Sequence, residues 1–160
     1  MTISKLFKVY VAKSKGNEDY DPGGVPFVTS TALNNGVISY VEPYEDDKIF
    51  AGNTICISGL GFATLQLNNY LPKGNGGDSA TILVPDTEMA IEELIYYTAV
   101  FNLLHNWRFS FGRKASKKRI QDLDIPVYSS YTGTFGQNFK EFITIFRDKI
   151  NEKEQLMKKG

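Results

Sequence analysis

The sequence predicts an α+β fold, with a mixed and largely antiparallel β-rich domain that holds one long packing helix, followed by a C-terminal amphipathic helix. Three observations lead to this prediction. Short apolar runs broken by Gly, Asn, Pro and Asp fill the stretch before Pro85. Apolar residues then recur at helical spacing up to Trp107, and again in the tail. With 160 residues and 42% hydrophobic content, the chain can bury one core.

Six short strands are predicted in the first half of the chain. They are runs of apolar and β-branched residues bounded by turn formers, and they span Leu6 to Val11, Val25 to Thr29, Gly36 to Val41, Thr54 to Ser58, Ala63 to Leu67 and Ala80 to Val84. The Asn35-Gly36 pair tolerates positive φ, so it predicts a tight turn between antiparallel neighbours. The acidic stretch from Glu42 to Asp47 is predicted to be a solvated turn.

The long helix is predicted from the helical spacing of Met89, Ile91, Leu94, Ile95, Phe101 and Leu104. Glu88 favours its positively polarised start, and Ser110 and Gly112 indicate an end near Trp107. Ser116 is expected to cap a short helix that runs through Leu123. The stretch from Ile125 to Tyr128 is expected to be extended.

A polar connector from Ser129 to Thr134 separates two parts, so we assign residues 1–130 to one domain and residues 135–160 to a C-terminal helix. The apolar positions of that helix suit a coiled-coil-like contact with a partner helix, because part of the series is spaced by seven residues. We predict the partner-helix residues to be Phe139, Ile143, Phe146, Ile150 and Met157. Packing of this stripe onto the chain's own domain is the alternative.

Composition narrows the classes of partner. Lys plus Arg and Asp plus Glu number 18 each, so no overall field draws the chain to nucleic acid or to an anionic membrane. Cys56 is the single cysteine, which excludes an internal disulfide and fits a reducing compartment. No apolar run is long enough for a membrane span, and no signal peptide is recognised. A cytoplasmic protein without membrane contact is expected.

The strongest local anomaly is Arg108–Arg119, the basic segment, which holds six cations and no acid. Clustered Lys and Arg displace counterions from phosphates, so such a segment is typical of nucleic-acid contact. Phe109 and Phe111, which lie between its cations, could anchor the segment or contact sugars. A solvated helix start with one buried aromatic pair explains the same residues equally well.

Residues that could carry catalysis are few. A Cys56–His105 dyad would need the two residues to meet in space, and Cys56 within an apolar strand is typical of a small buried hydrophobe. One His and one Cys cannot form a closed zinc site, so no metal, no cofactor and no catalytic residue is assigned. The glycines of Ser58-Gly59-Leu60-Gly61 permit a tight turn that approaches a ligand, yet they do not form a nucleotide-binding fingerprint.

Taken together, residues 5–128 resemble the target recognition domains of type I restriction-modification specificity subunits and of related fused restriction-methylation enzymes. The resemblance lies in the order and spacing of Lys5–Val9, Asp21–Ser30, Asn35–Ile38, Gly52–Ile55, Ser58–Gly61, Phe109–Arg113 and Leu123–Val127. It implies a domain without activity of its own that reads half of a bipartite DNA site. A long helix then acts as a spacer, a partner methyltransferase modifies adenine, and complete systems add a motor-nuclease subunit. This chain carries one recognition unit instead of two, so it either dimerises through its helix or is a fragment.

The residues expected to bind double-stranded DNA fall into two groups. Arg113, Lys114, Lys117 and Lys118, with Arg108 and Arg119, are expected on phosphates. Base or groove contacts are expected from the loops at Lys13, Lys15, Asn17, Thr29, Ser30, Thr31, Asn34 and Leu60. Two other functions stay open, namely an adaptor or decoy that engages a methyltransferase without reading DNA, and a small hydrolase that uses Cys56 and His105.

Overall fold

The structure is a computed structural model, and it describes residues 1–75, 78–109, 112–128, 144–145, 147–148, 150–156 and 158. The chain divides into two compact units, Met1–Pro126 and Val127–Gly160. The first unit contains two sheets and three α-helices among its described residues. The described residues of the second unit from 144 onward are helical.

Seven strands form in the described part of the first unit, and they are β1 (Phe7–Val11), β2 (Pro22–Val28), β3 (Val37–Val41), β4 (Thr54–Ile57), β5 (Ala63–Gln66), β6 (Leu71–Pro72) and β7 (Thr81–Pro85). Six of them lie within a few residues of the predicted bounds, since alternating or continuous apolar runs between turn formers are a strong strand signal. The strand β6 was not predicted, because it has two residues and one of them is a proline.

The larger sheet has four strands in the order β1-β7-β4-β5, and all its pairs are antiparallel. All four residues of β4 are buried, as expected of a central strand whose sequence is apolar almost throughout. The smaller sheet has the order β3-β2-β6, with β2 antiparallel to β3 and parallel to β6. Residues 29–36 join β2 to β3, so the connection is longer than the tight turn that was predicted, but Asn34, Asn35 and Gly36 do adopt positive φ, of 50, 54 and 82°.

Three α-helices accompany the sheets, and they are α1 (Ile3–Leu6), α2 (Ile91–His105) and α3 (Lys117–Ile120). The long helix α2 begins after Ala90, so Glu92 and Glu93, rather than Glu88, occupy its first turn. A 3-10 turn follows at Asn106–Phe109. Ser116 caps α3 as predicted, accepting a hydrogen bond from the Arg119 amide at 3.4 Å.

One prediction on this segment was wrong. The short helix ends at Ile120, three residues before Leu123, because a turn begins at Gln121. Residues 125–128, predicted to be extended, form neither a helix nor a strand, and Asp124 before them makes a single antiparallel bridge with Thr2. The Ile3 amide donates a hydrogen bond to the Leu123 carbonyl, and the Ile125 amide donates one to the Met1 carbonyl. The segment around Ile125 is therefore held by the N-terminus rather than by a sheet.

The helix α2 is fastened to the edge strand β5. Asn102 accepts a hydrogen bond from the Ala63 amide at 2.8 Å and donates one to the Ala63 carbonyl at 2.9 Å. The amide side chain therefore takes the place of a neighbouring strand at an edge that would otherwise be unpaired. Leu94, Tyr97 and Phe101 of the same helix are buried in the core.

In the second unit, the described residues between 144 and 158 are helical and exposed. Among the apolar ones, Ile145, Ile150 and Leu156 are 56%, 43% and 69% exposed. Of the predicted partner-helix residues, Phe139, Ile143, Phe146 and Met157 lie outside the described residues, and Ile150 is within them. No helix in the described part of the chain has the length and apolarity needed to span a bilayer.

Candidate nucleic-acid interface

Three loops meet at one end of the larger sheet, which we call the loop end. Val11 pairs with Thr81, and Ile57 pairs with both Thr81 and Ala63. The chain therefore leaves β1 and β4, and enters β5 and β7, at the same end of the sheet. The sequences that follow Val11 and Ile57 accordingly lie beside those that precede Ala63 and Thr81.

Backbone hydrogen bonds tie the smaller sheet to the loop end. The Lys73 amide donates to the Val28 carbonyl at 2.9 Å, and the Ala80 amide donates to the Lys73 carbonyl at 2.8 Å. The Gly74 amide donates to Ser14 Oγ at 2.8 Å. As a result, the turn that begins at Thr29 and the loop that contains Lys13 and Lys15 are joined through the segment that follows β6.

The basic segment lies against this loop end. The Ala115 amide donates to the Gly59 carbonyl at 2.9 Å, which fixes the middle of the basic segment on the loop between β4 and β5. The carboxylate of Asp78 lies between two lysines, with Lys73 Nζ at 3.7 Å from one oxygen and Lys114 Nζ at 3.6 Å from the other. Lys73 and Asp78 belong to no recognisable sequence motif, so neither could be predicted as part of this surface.

The cations of the basic segment that follow Gly112 are all exposed. They are Arg113, Lys114, Lys117, Lys118 and Arg119. Arg119 Nη1 also donates to the Lys114 carbonyl at 2.9 Å, which ties α3 to the segment before it. Lys114, Lys118 and Arg119 line one shallow depression together with Ser116 and Asp122. This arrangement presents several positive charges to solvent, as phosphate contact requires.

Arg108 is held differently from the other cations. Its Nε donates to Nδ1 of His105 at 3.0 Å, and its guanidinium lies 4.8 Å from the centre of the Trp107 ring. The second nitrogen of His105, Nε2, is 2.7 Å from the Asp124 carbonyl oxygen. Burial lowers the pKa of His105, and the Arg108 charge lowers it further, although the bond to Asp124 acts in the opposite direction.

Two of the predicted N-terminal loop residues have partners inside the protein. Lys15 Nζ is 3.6 Å from Asp46 and 4.3 Å from the centre of the Tyr44 ring. Asn17 Oδ1 accepts a hydrogen bond from Ser39 at 2.6 Å. Lys13 of the same loop is exposed. The acidic turn predicted at Glu42 to Asp47 thus lies beside Lys15, a contact that sequence spacing could not reveal.

The turn between β2 and β3 is anchored on β5. Asn35 Nδ2 donates to the Leu65 carbonyl at 2.7 Å, and Gln66 Nε2 donates to the Asn35 carbonyl at 2.9 Å. Within this turn the predicted contact residues Thr29, Ser30 and Thr31 are half-buried, whereas Asn34 is exposed. Thr31 Oγ1 accepts a hydrogen bond from the Leu33 amide at 3.2 Å.

Leu60 projects from the loop between β4 and β5, and its side chain is 58% exposed. Phe109 packs against this loop, since a Cβ on Gly61 would lie 2.4 Å from its ring, and the buried ring also stacks on Phe101 with centroids 6.5 Å apart. Of the two roles predicted for Phe109, the structure shows the anchor. Phe111 lies outside the described residues.

The Cys56–His105 dyad does not form. Cys56 belongs to an apolar cluster with Phe50, Tyr70 and Ile82, and burial raises the pKa of its thiol to about 12. Both ring nitrogens of His105 bond elsewhere, to Arg108 and to the Asp124 carbonyl. Within the described ranges, no group of three or more His, Cys, Asp or Glu side chains is placed to hold a metal ion.

Comparison with known proteins places the chain in a family. The family model described as "Type I restriction modification DNA specificity domain" matches residues 1–156. Comparison with curated proteins gives no match.

Three solved structures share the fold at low identity. A chain of a type I R-M system, from a study of complex assembly and conformational transition, has a TM-score of 0.62 and 16% identity, covering 99% of this chain and 39% of that one. The S subunit of a type I restriction-modification system from M. genitalium has a TM-score of 0.62 and 13% identity, covering 97% and 40%. The HsdS subunit from Thermoanaerobacter tengcongensis has a TM-score of 0.59 and 15% identity, covering 96% and 37%. The chain therefore spans about two fifths of the length of these solved chains.

Proposed function

Because the chain belongs to the family of type I restriction modification DNA specificity domains, we propose that it binds double-stranded DNA in a sequence-specific manner and supplies target recognition to a restriction-modification system. The loop end would face the duplex. Exposed cations of the basic segment would contact phosphates, and loop side chains would reach base edges in the major groove.

The observation that carries this proposal is the bond between the Ala115 amide and the Gly59 carbonyl, at 2.9 Å. It joins the basic segment, with its exposed cations, to the loop end, so one duplex can contact the cations and the loops together. Phosphate contacts fix the position of a protein on DNA, while base contacts select the sequence. The surface at the loop end carries cations for phosphates beside loop side chains that can reach bases, so it can serve both purposes.

The placements favour some of the predicted DNA contacts over others. Arg113, Lys114, Lys117 and Lys118 are our leading candidates for phosphates, with Arg119 beside them. Lys13, Asn34 and Leu60 are exposed candidates for groove contacts, and Thr29, Ser30 and Thr31 can contribute where their polar atoms reach solvent. Lys15, Asn17 and Arg108 would first have to release their partners Asp46, Ser39 and His105. Lys114 would likewise have to release Asp78.

The assembly is part of the same proposal. Residues 1–130 would form the recognition domain, and residues 135–160 would form a spacer helix that pairs with a second copy or with a longer chain. The solved chains similar to this one that are named as an S subunit and an HsdS subunit are about two and a half times as long. The complex would include a methyltransferase that modifies adenine and, in a complete system, a motor-nuclease subunit. It would be located in the cytoplasm. The domain itself would carry no catalytic activity.

The experiment is a selection from random duplexes with the purified chain, followed by fluorescence anisotropy over a series of salt concentrations. Enrichment of one half-site supports the proposal. The triple change Lys114→Gln, Lys117→Gln and Lys118→Gln should weaken binding to every sequence. It should also reduce the salt slope by up to about 0.9 for each phosphate that these lysines neutralise in the unaltered protein. The matched control changes Lys5, Lys8 and Lys48, which lie outside the basic segment, to Gln.

An unchanged salt slope in the triple variant would remove these lysines from the interface. An adaptor that engages a methyltransferase without reading DNA predicts a different pair of results. The chain would then co-elute with the methyltransferase subunit, and it would not retain DNA even at low salt.

A further inference from the structure

Leu60 is an apolar side chain on an otherwise buried turn. Its neighbours Ser58, Gly59 and Gly61 are buried, and all four residues of the preceding strand β4 are buried as well. Leu60 alone in this stretch faces solvent, with 58% of its surface exposed. Single exposed leucines are common on protein surfaces, so what distinguishes Leu60 is the backbone that holds it.

The backbone of this turn is held by hydrogen bonds on both sides of Leu60. Within the turn, the Gly61 amide donates to the Ser58 carbonyl at 2.8 Å, and the Ser58 amide donates to the Phe62 carbonyl at 3.0 Å. From outside, Asn106 Nδ2 donates to the Gly61 carbonyl at 2.9 Å. The Ala115 amide binds the Gly59 carbonyl from the other side. The turn is therefore positioned by the 3-10 turn that follows α2 and by the basic segment together.

Two glycines bring this turn into close contact with its surroundings. A Cβ on Gly59 would lie 2.8 Å from Asp78 Cα, and a Cβ on Gly61 would lie 2.4 Å from the ring of Phe109. Gly61 also has a φ of 82°, which is favourable only for glycine. Since neither residue can carry a side chain here, the turn is packed against its neighbours and Leu60 is its projecting group.

The surroundings of Leu60 indicate what it can meet. The basic segment lies directly beside the turn, with Lys114 and Arg113 exposed. On the surface proposed to face duplex DNA, an apolar tip beside cations meets base edges rather than phosphates. The apolar group that B-DNA displays in its major groove is the 5-methyl group of thymine.

We propose that Leu60 is a specificity-determining residue that contacts the 5-methyl group of a thymine in the recognised half-site. This inference rests on the proposed function. It adds a chemical identity for one contact, carried by a side chain that cannot form a hydrogen bond. A rigid turn suits this role, because a methyl contact depends on the distance between two apolar surfaces.

The test uses the half-site obtained by selection, with each thymine replaced in turn by deoxyuridine, which lacks the methyl group. For the unaltered protein, replacement at one position should weaken binding about fourfold, the value expected for one buried methyl group. Leu60→Ala should bind the original duplex more weakly and lose this response to deoxyuridine. Leu60→Met should keep the response, since it retains a large apolar tip.

The matched control is Leu67→Ala, a leucine of similar exposure (53%) that follows the opposite end of β5. It should respond to deoxyuridine as the unaltered protein does, and thermal unfolding checks that each variant is folded. Deoxyuridine without effect at every position would overturn the inference, as would a Leu60→Ala variant that still responds.

Two other outcomes are distinguishable from these. A rise in 2-aminopurine fluorescence that depends on Leu60 and is insensitive to the thymine methyl group would identify a wedge between bases, and would overturn the inference. If no sequence is enriched in the selection, the proposed function fails and the inference fails with it. Selective binding without a methyl response contradicts the inference alone.

Discussion

Arg108 donates a hydrogen bond from Nε to Nδ1 of His105 at 3.0 Å, while Nε2 of the same ring lies 2.7 Å from the Asp124 carbonyl oxygen. A neutral imidazole with its proton on Nε2 satisfies both contacts. A second proton would remove the acceptor that Arg108 uses and would place two positive charges side by side. Burial, and after it the neighbouring Arg108 charge, lower the pKa of His105, although the contact with Asp124 acts in the opposite direction.

The folded chain should therefore lose stability in mild acid. Since the pKa of His105 is lower in the folded state than its usual value of about 6.5, the unfolded chain takes up the proton first as the pH falls. The contribution of His105 is complete above about pH 6.5 and is lost as the pH drops through the folded pKa. Urea unfolding between pH 8 and pH 5 measures this decline.

His105→Gln is the control for that experiment, because an amide can still donate to the Asp124 carbonyl but does not titrate. The free energy of unfolding of the variant should fall less steeply with decreasing pH than that of the unaltered protein. Parallel pH profiles for the two proteins would show that His105 does not carry the effect.

Asp78→Asn should strengthen DNA binding. The carboxylate lies within 3.7 Å of Lys73 Nζ and 3.6 Å of Lys114 Nζ, so its removal frees both cations for phosphates and removes one negative charge from the proposed interface. Fluorescence anisotropy should give a lower Kd and a steeper salt dependence. The matched control is Asp86→Asn, which removes an equivalent pair with Lys8 at 3.7 Å. Weaker binding by the Asp78 variant would contradict the proposed orientation of this surface.

Alanine substitution at three glycines should lower the free energy of unfolding by different amounts, according to the backbone conformation and the space at each position. Gly61→Ala adds both a strained φ of 82° and a Cβ 2.4 Å from Phe109, so we expect a loss of about 3 kcal/mol or more. Gly112→Ala has a similar φ of 84° with nothing within 4 Å, and about 1 kcal/mol is expected. Gly24→Ala, with open space and no positive φ, should change the free energy of unfolding by less than about 0.5 kcal/mol. Equal losses for Gly61 and Gly112 would mean that Phe109 gives way.

Cys56 should be unreactive in the folded chain. Its thiol is fully buried with a pKa of about 12, so at neutral pH it is protonated and out of reach of alkylating reagents. Iodoacetamide should modify it slowly in buffer and rapidly in denaturant. Cys56→Ala should cost about 1–3 kcal/mol of stability through the cavity it leaves, with DNA affinity unchanged. Rapid modification of the native chain would contradict this burial.

The local elements could be predicted from the sequence because their causes are local. Six strands, the Asn35-Gly36 turn, the long helix and the Ser116 cap follow from apolar periodicity, positive-φ tolerance and side-chain capping. The bounds of α2 and α3 were displaced by a few residues, since the interactions that end a helix come from other parts of the chain. The strand β6 carries no pattern of its own and exists because β2 offers it an edge.

The basic segment is visible in the sequence as an excess of cations, and charge alone allows a solvated helix start as readily as a DNA contact. Only the tertiary structure decided that Ala115 bonds to Gly59, that Asp78 meets Lys114, and that Asp46 engages Lys15. These pairs are separated by 31 or more residues along the chain, so neither spacing nor composition reports them. Folding creates them by bringing the ends of several strands together at one end of a sheet, where residues from distant loops come into contact.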